Sequence, residues 1–242
     1  MGLHMRDRVI LNRVILNRVI LSSLLGSLLA GGIWSTPAWA ESAASYRELG
    51  IRYRDEGLMS EAIDALQQAM ALEPNNLDGR VMLGWTLHLA KDDRAAAQVL
   101  QETLAIDPFY IPTLNALGIV YLVNNDLAGA ILTHRWATLL APDNEIAHYN
   151  LSLAFERSQQ YDWAIADAKT AAQLEPDNPH PLVALAIAHW GKGEADLATQ
   201  SYQQAIGIDP RYAESSFLDY LNEAGFSSTQ IETSKQVLSA LP

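Results

Sequence analysis

The sequence predicts an all-α protein built from repeated pairs of helices, and three regularities predict it. Prolines recur every 34 residues, each two positions after an aliphatic residue. Residues that tolerate a left-handed backbone stand about half a period earlier, and small residues recur at fixed places between these two kinds of stop. A fixed period of about 20 to 50 residues is typical of repeat architectures.

Residues 1–40 have the three regions of a secretory signal peptide. Four arginines lie in the first 18 residues, an apolar stretch follows over 19–34, and Ala38 and Ala40 supply the small residues of a cleavage site. The apolar stretch is short for a membrane span of about 20 residues. We expect cleavage after Ala40 and export to the periplasm or the thylakoid lumen. The alternative is an uncleaved membrane anchor.

Each proline of the repeat predicts the end of a second helix, because proline lacks an N–H and disfavours the helical conformation of the residue before it. The five prolines are Pro74, Pro108, Pro142, Pro176 and Pro210. Between them, Gly57, Asn125 and Gly193 suit the left-handed residue that often follows a helix. Every 34-residue unit is therefore predicted to contain two helices and two turns.

Small and large residues alternate in the same order in every unit. In the first unit Tyr46, Leu49, Gly50 and Tyr53 are spaced for one face of a helix. The Leu-Gly pair recurs as Leu83–Gly84, Leu117–Gly118, Leu151–Ser152 and Leu185–Ala186. The small residue of the second helix recurs as Ala62, Ala96, Ala130, Ala164 and Ala198. Small residues facing large ones allow two helices to approach closely.

This pattern resembles the tetratricopeptide repeat (TPR), a helix-turn-helix unit, in five tandem copies. The predicted units are 43–76, 77–110, 111–144, 145–178 and 179–212. The resemblance implies a TPR solenoid, a right-handed superhelix whose first helices line a concave surface where partner peptides bind. Arg80, His134 and His148 depart from the pattern, at positions that the family usually fills with apolar residues. The signal, the repeat number and the short tail are also similar to small exported TPR proteins of cyanobacteria.

Residues 213–242 leave the repeat and are predicted to cap it. We expect a helix from about Ala213 to Glu223 that Gly225 ends, and then a second amphipathic helix. Ser227 and Gln230 have the spacing of a capping box at the start of that helix. A solenoid needs such an atypical end to cover the apolar face of its last repeat.

Composition and motifs predict a protein without catalytic residues, cofactor or metal. The sequence has no cysteine, which excludes thiol catalysis and cysteine-based zinc sites, and it lacks the HExxH, GxSxG and Walker patterns. Residues 41–242 hold 12 basic against 27 acidic side chains, a net charge of −15 that repels nucleic acid. The alternative is a regulatory subunit of an enzyme or a metal-dependent hydrolase that uses His148 and His180, which begin consecutive first helices.

The first helices carry an apolar strip toward the expected concave surface. The position after each Leu-small pair holds Ile51, Trp85, Ile119, Leu153 and Ile187. Neighbouring inward positions add Val81, Met82, Leu122, Tyr149, Val183 and Trp190, with Asn115 and Asn150 in the polar minority. The strip predicts a peptide-binding groove for an extended segment or the apolar face of a helix. Packing between successive helices, or cover by the tail, would explain the same residues.

The predicted function is therefore a non-enzymatic scaffold or assembly factor for protein complexes outside the cytoplasm. Its partner is a protein or peptide of unknown identity, and self-association stays open. A membrane-tethered TPR adaptor is the alternative if the signal is retained. The carboxylate clamp that some family members offer to heat-shock chaperones is disfavoured, because only Arg47, Asn115 and Asn150 resemble its basic and amide side chains.

Overall fold

The computed structural model describes residues 42–242, and the predicted signal peptide lies outside them. Ten α-helices form five consecutive pairs in this range, and no strand occurs in it. The pairs are α1 (Ala43–Asp55) with α2 (Met59–Leu72), α3 (Leu77–Leu89) with α4 (Asp93–Ile106), α5 (Ile111–Val123) with α6 (Leu127–Leu140), α7 (Glu145–Arg157) with α8 (Tyr161–Leu174), and α9 (His180–Lys192) with α10 (Ala195–Ile208). The predicted all-α solenoid is confirmed.

The first helices end in the same way in all five repeats. The residue at the turn has a positive φ each time, at Gly57 (80°), Lys91 (67°), Asn125 (60°), Gln159 (58°) and Gly193 (84°). The sequence predicted three of these positions. Lysine and glutamine rarely adopt positive φ, so Lys91 and Gln159 show that the turn between the two helices imposes the conformation on whatever residue stands there.

Polar residues in the turns cap the helices that follow. Asn76 accepts a hydrogen bond from the N–H of Gly79 at the start of α3, and Asp126 accepts one from Gly129 at the start of α6. Asp92 and Asn144 do the same for α4 and α7. Such caps satisfy backbone donors that have no partner inside the helix. The Asp and Asn residues of these turns therefore stabilise the helices that follow them.

The two helices of a repeat cross where the sequence places its small residues. A Cβ added to Gly50 would lie 2.6 Å from Cγ of Leu66, and one added to Gly84 would lie 2.7 Å from Cγ of Leu100. Glycine is needed at these crossings because the large side chain of the second helix occupies the space of a methyl group. Ala164 of α8, the counterpart of Ala62 in the second helix of the first repeat, is fully buried.

We expect Ala164→Leu to overpack this crossing and to lower the free energy of unfolding by about 1 to 3 kcal/mol. Urea denaturation measures the loss. Ala166→Leu is the matched control, because Ala166 is exposed on the same helix and its substitution should change stability by less than about 0.5 kcal/mol. Equal stability of the two variants would show that the register of α8 is wrong.

The tail forms two 3₁₀ segments, Pro210–Ala213 and Ser215–Ala224, followed by α11 (Ser228–Ser239). The helix predicted from about Ala213 to Glu223 is therefore present over Ser215–Ala224, in the 3₁₀ form. A 3₁₀ helix turns every three residues, and this period brings Leu218, Leu221 and Ala224 to one buried side. Gly225 ends the segment with φ of 86°, and Ser227 and Gln230 form the capping box of α11.

Leu218 and Leu221 join one core cluster with Tyr202 of α10 and with Val237 of α11. The tail therefore closes the apolar end of the last repeat. No helix of residues 42–242 is both long enough and apolar enough to cross a membrane.

Candidate functional site

The tail folds back onto α7, the first helix of the fourth repeat. The hydroxyl of Tyr149 donates to the main-chain carbonyl of Ala224 at 2.6 Å. The guanidinium of Arg157 donates to the carbonyl of Gly225 at 2.5 Å and to that of Leu122, at the end of α5, at 2.7 Å. Two side chains of one helix thus hold consecutive main-chain carbonyls of a segment about 70 residues away in sequence.

Gln230 completes this contact from the side of α11. Its amide nitrogen donates to the carbonyl of Leu153 at 3.2 Å and to Glu156 Oε2 at 2.7 Å. Its amide oxygen accepts from Arg157 Nε at 2.9 Å and from the N–H of Ser227 at 3.0 Å. The capping box of α11 and the polar side of α7 are therefore one hydrogen-bonded network.

This network is largely removed from water, which strengthens its hydrogen bonds. Burial raises the pKa of the Glu156 carboxyl, although the hydrogen bond from Gln230 opposes that shift. Burial also lowers the pKa of the Arg157 guanidinium and raises that of the Tyr149 phenol. Loss of any one member would leave buried polar groups without partners, which is costly.

The predicted groove residues divide into two groups by exposure. Four are half-buried: Ile51, Asn115, Tyr149 and Trp190. Nine are buried: Val81, Met82, Trp85, Ile119, Leu122, Asn150, Leu153, Val183 and Ile187. In this conformation the strip is not a groove open to solvent along five helices. Most of its side chains belong to the packed interior, and the tail covers it at the fourth repeat.

Trp85 and Asn115 illustrate the two groups. Trp85 is only 2% exposed, and its ring centroid lies 5.1 Å from that of His88. Its indole nitrogen has no hydrogen-bond partner. Asn115 keeps some exposure and exchanges two amide hydrogen bonds with Asn144, the cap of α7, at 2.9 and 3.3 Å. Asn115 therefore links successive first helices at their ends.

The two histidines of the alternative hydrolase site have separate surroundings. His148 contacts Asp167 Oδ1 of α8 at 2.7 Å through Nδ1 and the carbonyl of Pro142 at 3.1 Å through Nε2. His180 lies 6.3 Å from the ring of Tyr149 and 6.1 Å from that of Tyr212. In residues 42–242 no three His, Asp or Glu side chains are grouped to hold a metal ion.

Asp167 is a site residue that the sequence did not reveal. It is buried, and burial raises the pKa of its carboxyl while His148 and Arg135 oppose the shift. Its second oxygen lies 3.2 Å from Nη2 of Arg135 on α6. The carboxyl thus joins three helices. In the sequence, the only indication of this role is an acidic residue on the side of α8 that faces the interior.

Two family models, both described as "Tetratricopeptide repeat", match the chain. One matches residues 53–117, and the other matches residues 115–179 and again residues 153–213. The Hsp70-Hsp90 organizing protein of Triticum aestivum is 35% identical over 74 residues, which is 31% of this chain and 13% of the wheat protein. The small glutamine-rich tetratricopeptide repeat-containing protein 2 of Mycosarcoma maydis is 30% identical over 97 residues, 40% of this chain and 28% of its own length. The chain thus spans a minor part of both relatives.

Solved structures show the same fold at low identity. MamA (41-end) of Desulfovibrio magneticus RS-1 superposes with a TM-score of 0.63 at 21% identity, covering 69% of this chain and 95% of the solved MamA chain. TTC0263, a thermophilic TPR protein of Thermus thermophilus, gives 0.59 at 19% identity, covering 82% of this chain and all of TTC0263. Both likenesses concern the solenoid architecture.

Proposed function

Because the chain belongs to the tetratricopeptide repeat family, we propose that it is a non-enzymatic scaffold or assembly factor that binds a segment of a partner protein outside the cytoplasm. The observation that carries this proposal is the docking of the tail on α7. Tyr149 and Arg157 hold main-chain carbonyls, which every peptide offers. The docked tail supports the proposal, because it is a segment of polypeptide that binds to this surface.

The docked tail defines the chemistry of the proposed partner segment. Its first part is a helix end, where a side chain of α7 donates a hydrogen bond to a main-chain carbonyl. Its second part is an amphipathic helix whose Ile231 and Val237 lie in the core. A partner segment that binds in a similar way would use the helix-in-groove mode of recognition. The partner segment would be amphipathic, with Ile51 and Asn115 as its half-buried contacts in the first and third repeats.

A scaffold role agrees with the contacts of the ionisable side chains in the site. His148, Asp167 and Arg135 hold three helices together, and Glu156 with Arg157 holds the tail. These groups bond to one another and to the main chain, an arrangement suited to packing. The names of the wheat and fungal relatives describe an organizing protein and a repeat protein.

The proposed location rests on the arginines, the apolar stretch and the small residues at 38 and 40. Periplasm and thylakoid lumen both stay predictions. We expect the mature protein to begin at Glu41, and intact mass spectrometry of the protein purified from an exporting host measures this. A mass that retains residues 1–40 would favour the membrane-tethered adaptor.

Capture from envelope or lumenal extract tests the binding proposal. The variant Ile51→Glu with Asn115→Lys places two charges on the concave side, and we expect it to reduce capture of the partner by at least about tenfold. Gln68→Glu with Gln98→Lys is the matched control, because it adds the same charges at exposed positions of α2 and α4. Equal capture by both variants, with both folded by circular dichroism, would contradict the proposed site.

A further inference from the structure

The outer side of α6 exposes three large apolar side chains along one stripe. Leu132 is 69% exposed, Trp136 is 40% exposed and Leu139 is 82% exposed. Their spacing of four and three residues places them on one face of the helix. Phe109, which is 63% exposed, meets Trp136 edge to face at 6.3 Å between ring centroids. We call these four side chains the α6 patch.

The other repeats show that the fold does not require this patch. At the position of Leu132 they carry Asp64, Gln98, Ala166 and Gln200. At the position of Trp136 they carry Gln68, Glu102, Thr170 and Gln204. At the position of Leu139 they carry Ala71, Ala105, Gln173 and Gly207, and at that of Phe109 they carry Asn75, Asp143, Asp177 and Arg211. The third repeat alone places large apolar side chains at all three outward positions of its second helix.

The α6 patch is also free of charge. Arg135 is the only Asp, Glu, Lys or Arg of α6. Its guanidinium lies 5.0 Å from the ring centroid of Phe155 and 5.1 Å from that of Trp163, and it pairs with Asp167. The whole chain has a formal charge of −12. Two copies of such an acidic chain can therefore pack α6 against α6 without placing an acidic side chain of one helix against the other.

The area of the patch suits a second copy. If each of the four side chains exposes about 150 to 250 Å² when free, the exposed fractions correspond to roughly 400 to 600 Å² per chain. An apolar patch of this size is about as large as the largest patch of a typical monomer, and such patches are often functional. Two facing patches would bury roughly 800 to 1,200 Å², and a polar rim around them would bring the total to the size of a specific interface.

We propose that the protein forms a two-fold symmetric dimer through the α6 patch. In such an interface the same surface of both chains meets itself, so α6 packs against α6 of the second copy. Phe109 and Trp136 supply the aromatic anchors at its centre. The α6 patch shares no residue with the tail or with Ile51 and Asn115, so the dimer can be tested independently of the proposed partner site.

Analytical ultracentrifugation of the purified protein between about 1 and 100 μM tests this proposal. We expect wild type to sediment as a dimer with a Kd of about 10 μM or tighter. The variant Leu132→Gln, Trp136→Glu, Leu139→Ala copies the second repeat and should weaken dimerisation at least tenfold. Because the second repeat folds with these residues, the variant should keep the circular dichroism spectrum of wild type.

The matched control is Ala166→Gln, Thr170→Glu, Gln173→Ala, which makes the same residues at the same positions one repeat later. It should dimerise like wild type. A wild-type protein that stays monomeric at 100 μM would overturn the proposal and leave another protein or a lipid surface as the occupant of the patch. A dimer that the α6 variant does not weaken, or that both variants weaken equally, would overturn it too.

Discussion

Replacing His134 by leucine should stabilise the protein at neutral pH by about 1 to 3 kcal/mol. His134 is fully buried in α6, and neither ring nitrogen makes a hydrogen bond of good geometry, although the main chain of Gly118 lies against the ring. The repeat places Leu66 and Leu100 at the same position, so leucine fits the site by precedent. The substitution removes two unsatisfied polar atoms from the interior and replaces them with apolar surface.

The same substitution should flatten the dependence of stability on pH. Burial lowers the pKa of His134 from 6.5 to about 3, although a contact with the main chain of Gly118 opposes that shift. Below pH 6.5 the unfolded chain therefore binds a proton that the folded chain does not bind, and the free energy of unfolding falls as pH falls toward 3. The slope is about 1.4 kcal/mol per pH unit.

Urea denaturation at pH 7.5 and pH 5.0 measures both effects. Over this interval wild type should lose about 2 kcal/mol more than His134→Leu. Carboxyl groups titrate in both proteins and cancel in the comparison. Equal losses in the two proteins would show that the His134 ring is solvated or bonded in solution.

Arg157→Ala should destabilise the fold by about 2 to 4 kcal/mol, because it leaves the carbonyls of Leu122 and Gly225 and the amide of Gln230 without their donor. Arg157→Lys should recover part of the loss, since lysine keeps the charge but lacks the planar fork. Chemical denaturation gives the energies.

Hydrogen exchange locates the effect of Arg157→Ala. Amides of α11 should exchange faster in this variant, because the tail is held to α7 through Arg157. The matched control is Arg52→Ala, which removes an exposed arginine of α1 and should leave both stability and α11 exchange unchanged. Unchanged exchange in α11 of Arg157→Ala would contradict the docking of the tail.

The helix ends of the solenoid were predictable because each depends on residues close in sequence. Pro74 and its equivalents end the second helices, and Gly57, Asn125 and Gly193 end the first ones. Lys91 and Gln159 were missed because their conformation follows from the turn and not from their residue type. The buried residues of Ser215–Ala224 recur every three positions, at Leu218, Leu221 and Ala224. Over so few residues this spacing also fits an α-helix, so the sequence did not distinguish the two helix types.

The state of the concave side was harder to predict. Its cover depends on pairs such as Tyr149 with Ala224 and Leu153 with Gln230, which are 75 and 77 residues apart. No local pattern records such a contact. The apolar strip has the same composition whether a partner, the tail or a neighbouring helix covers it. Leu132, Trp136 and Leu139 were hard to predict for another reason. Their spacing is that of a helix face buried in the core, and yet the three side chains are exposed.

Site-specific photo-crosslinking in the exporting host tests the scaffold function most directly. A photoreactive phenylalanine analogue at position 51 or 115 reports on the concave side, and the same group at position 68 or 98 reports on the outer side. We predict that the group at position 51 or 115 forms an adduct with a different polypeptide, so that the mass of the adduct is not twice that of this chain. We predict that the group at position 68 or 98 forms no adduct with a different polypeptide. Adducts formed only from positions 68 and 98, or only with second copies of the chain, would contradict a scaffold that binds its partner on the concave side.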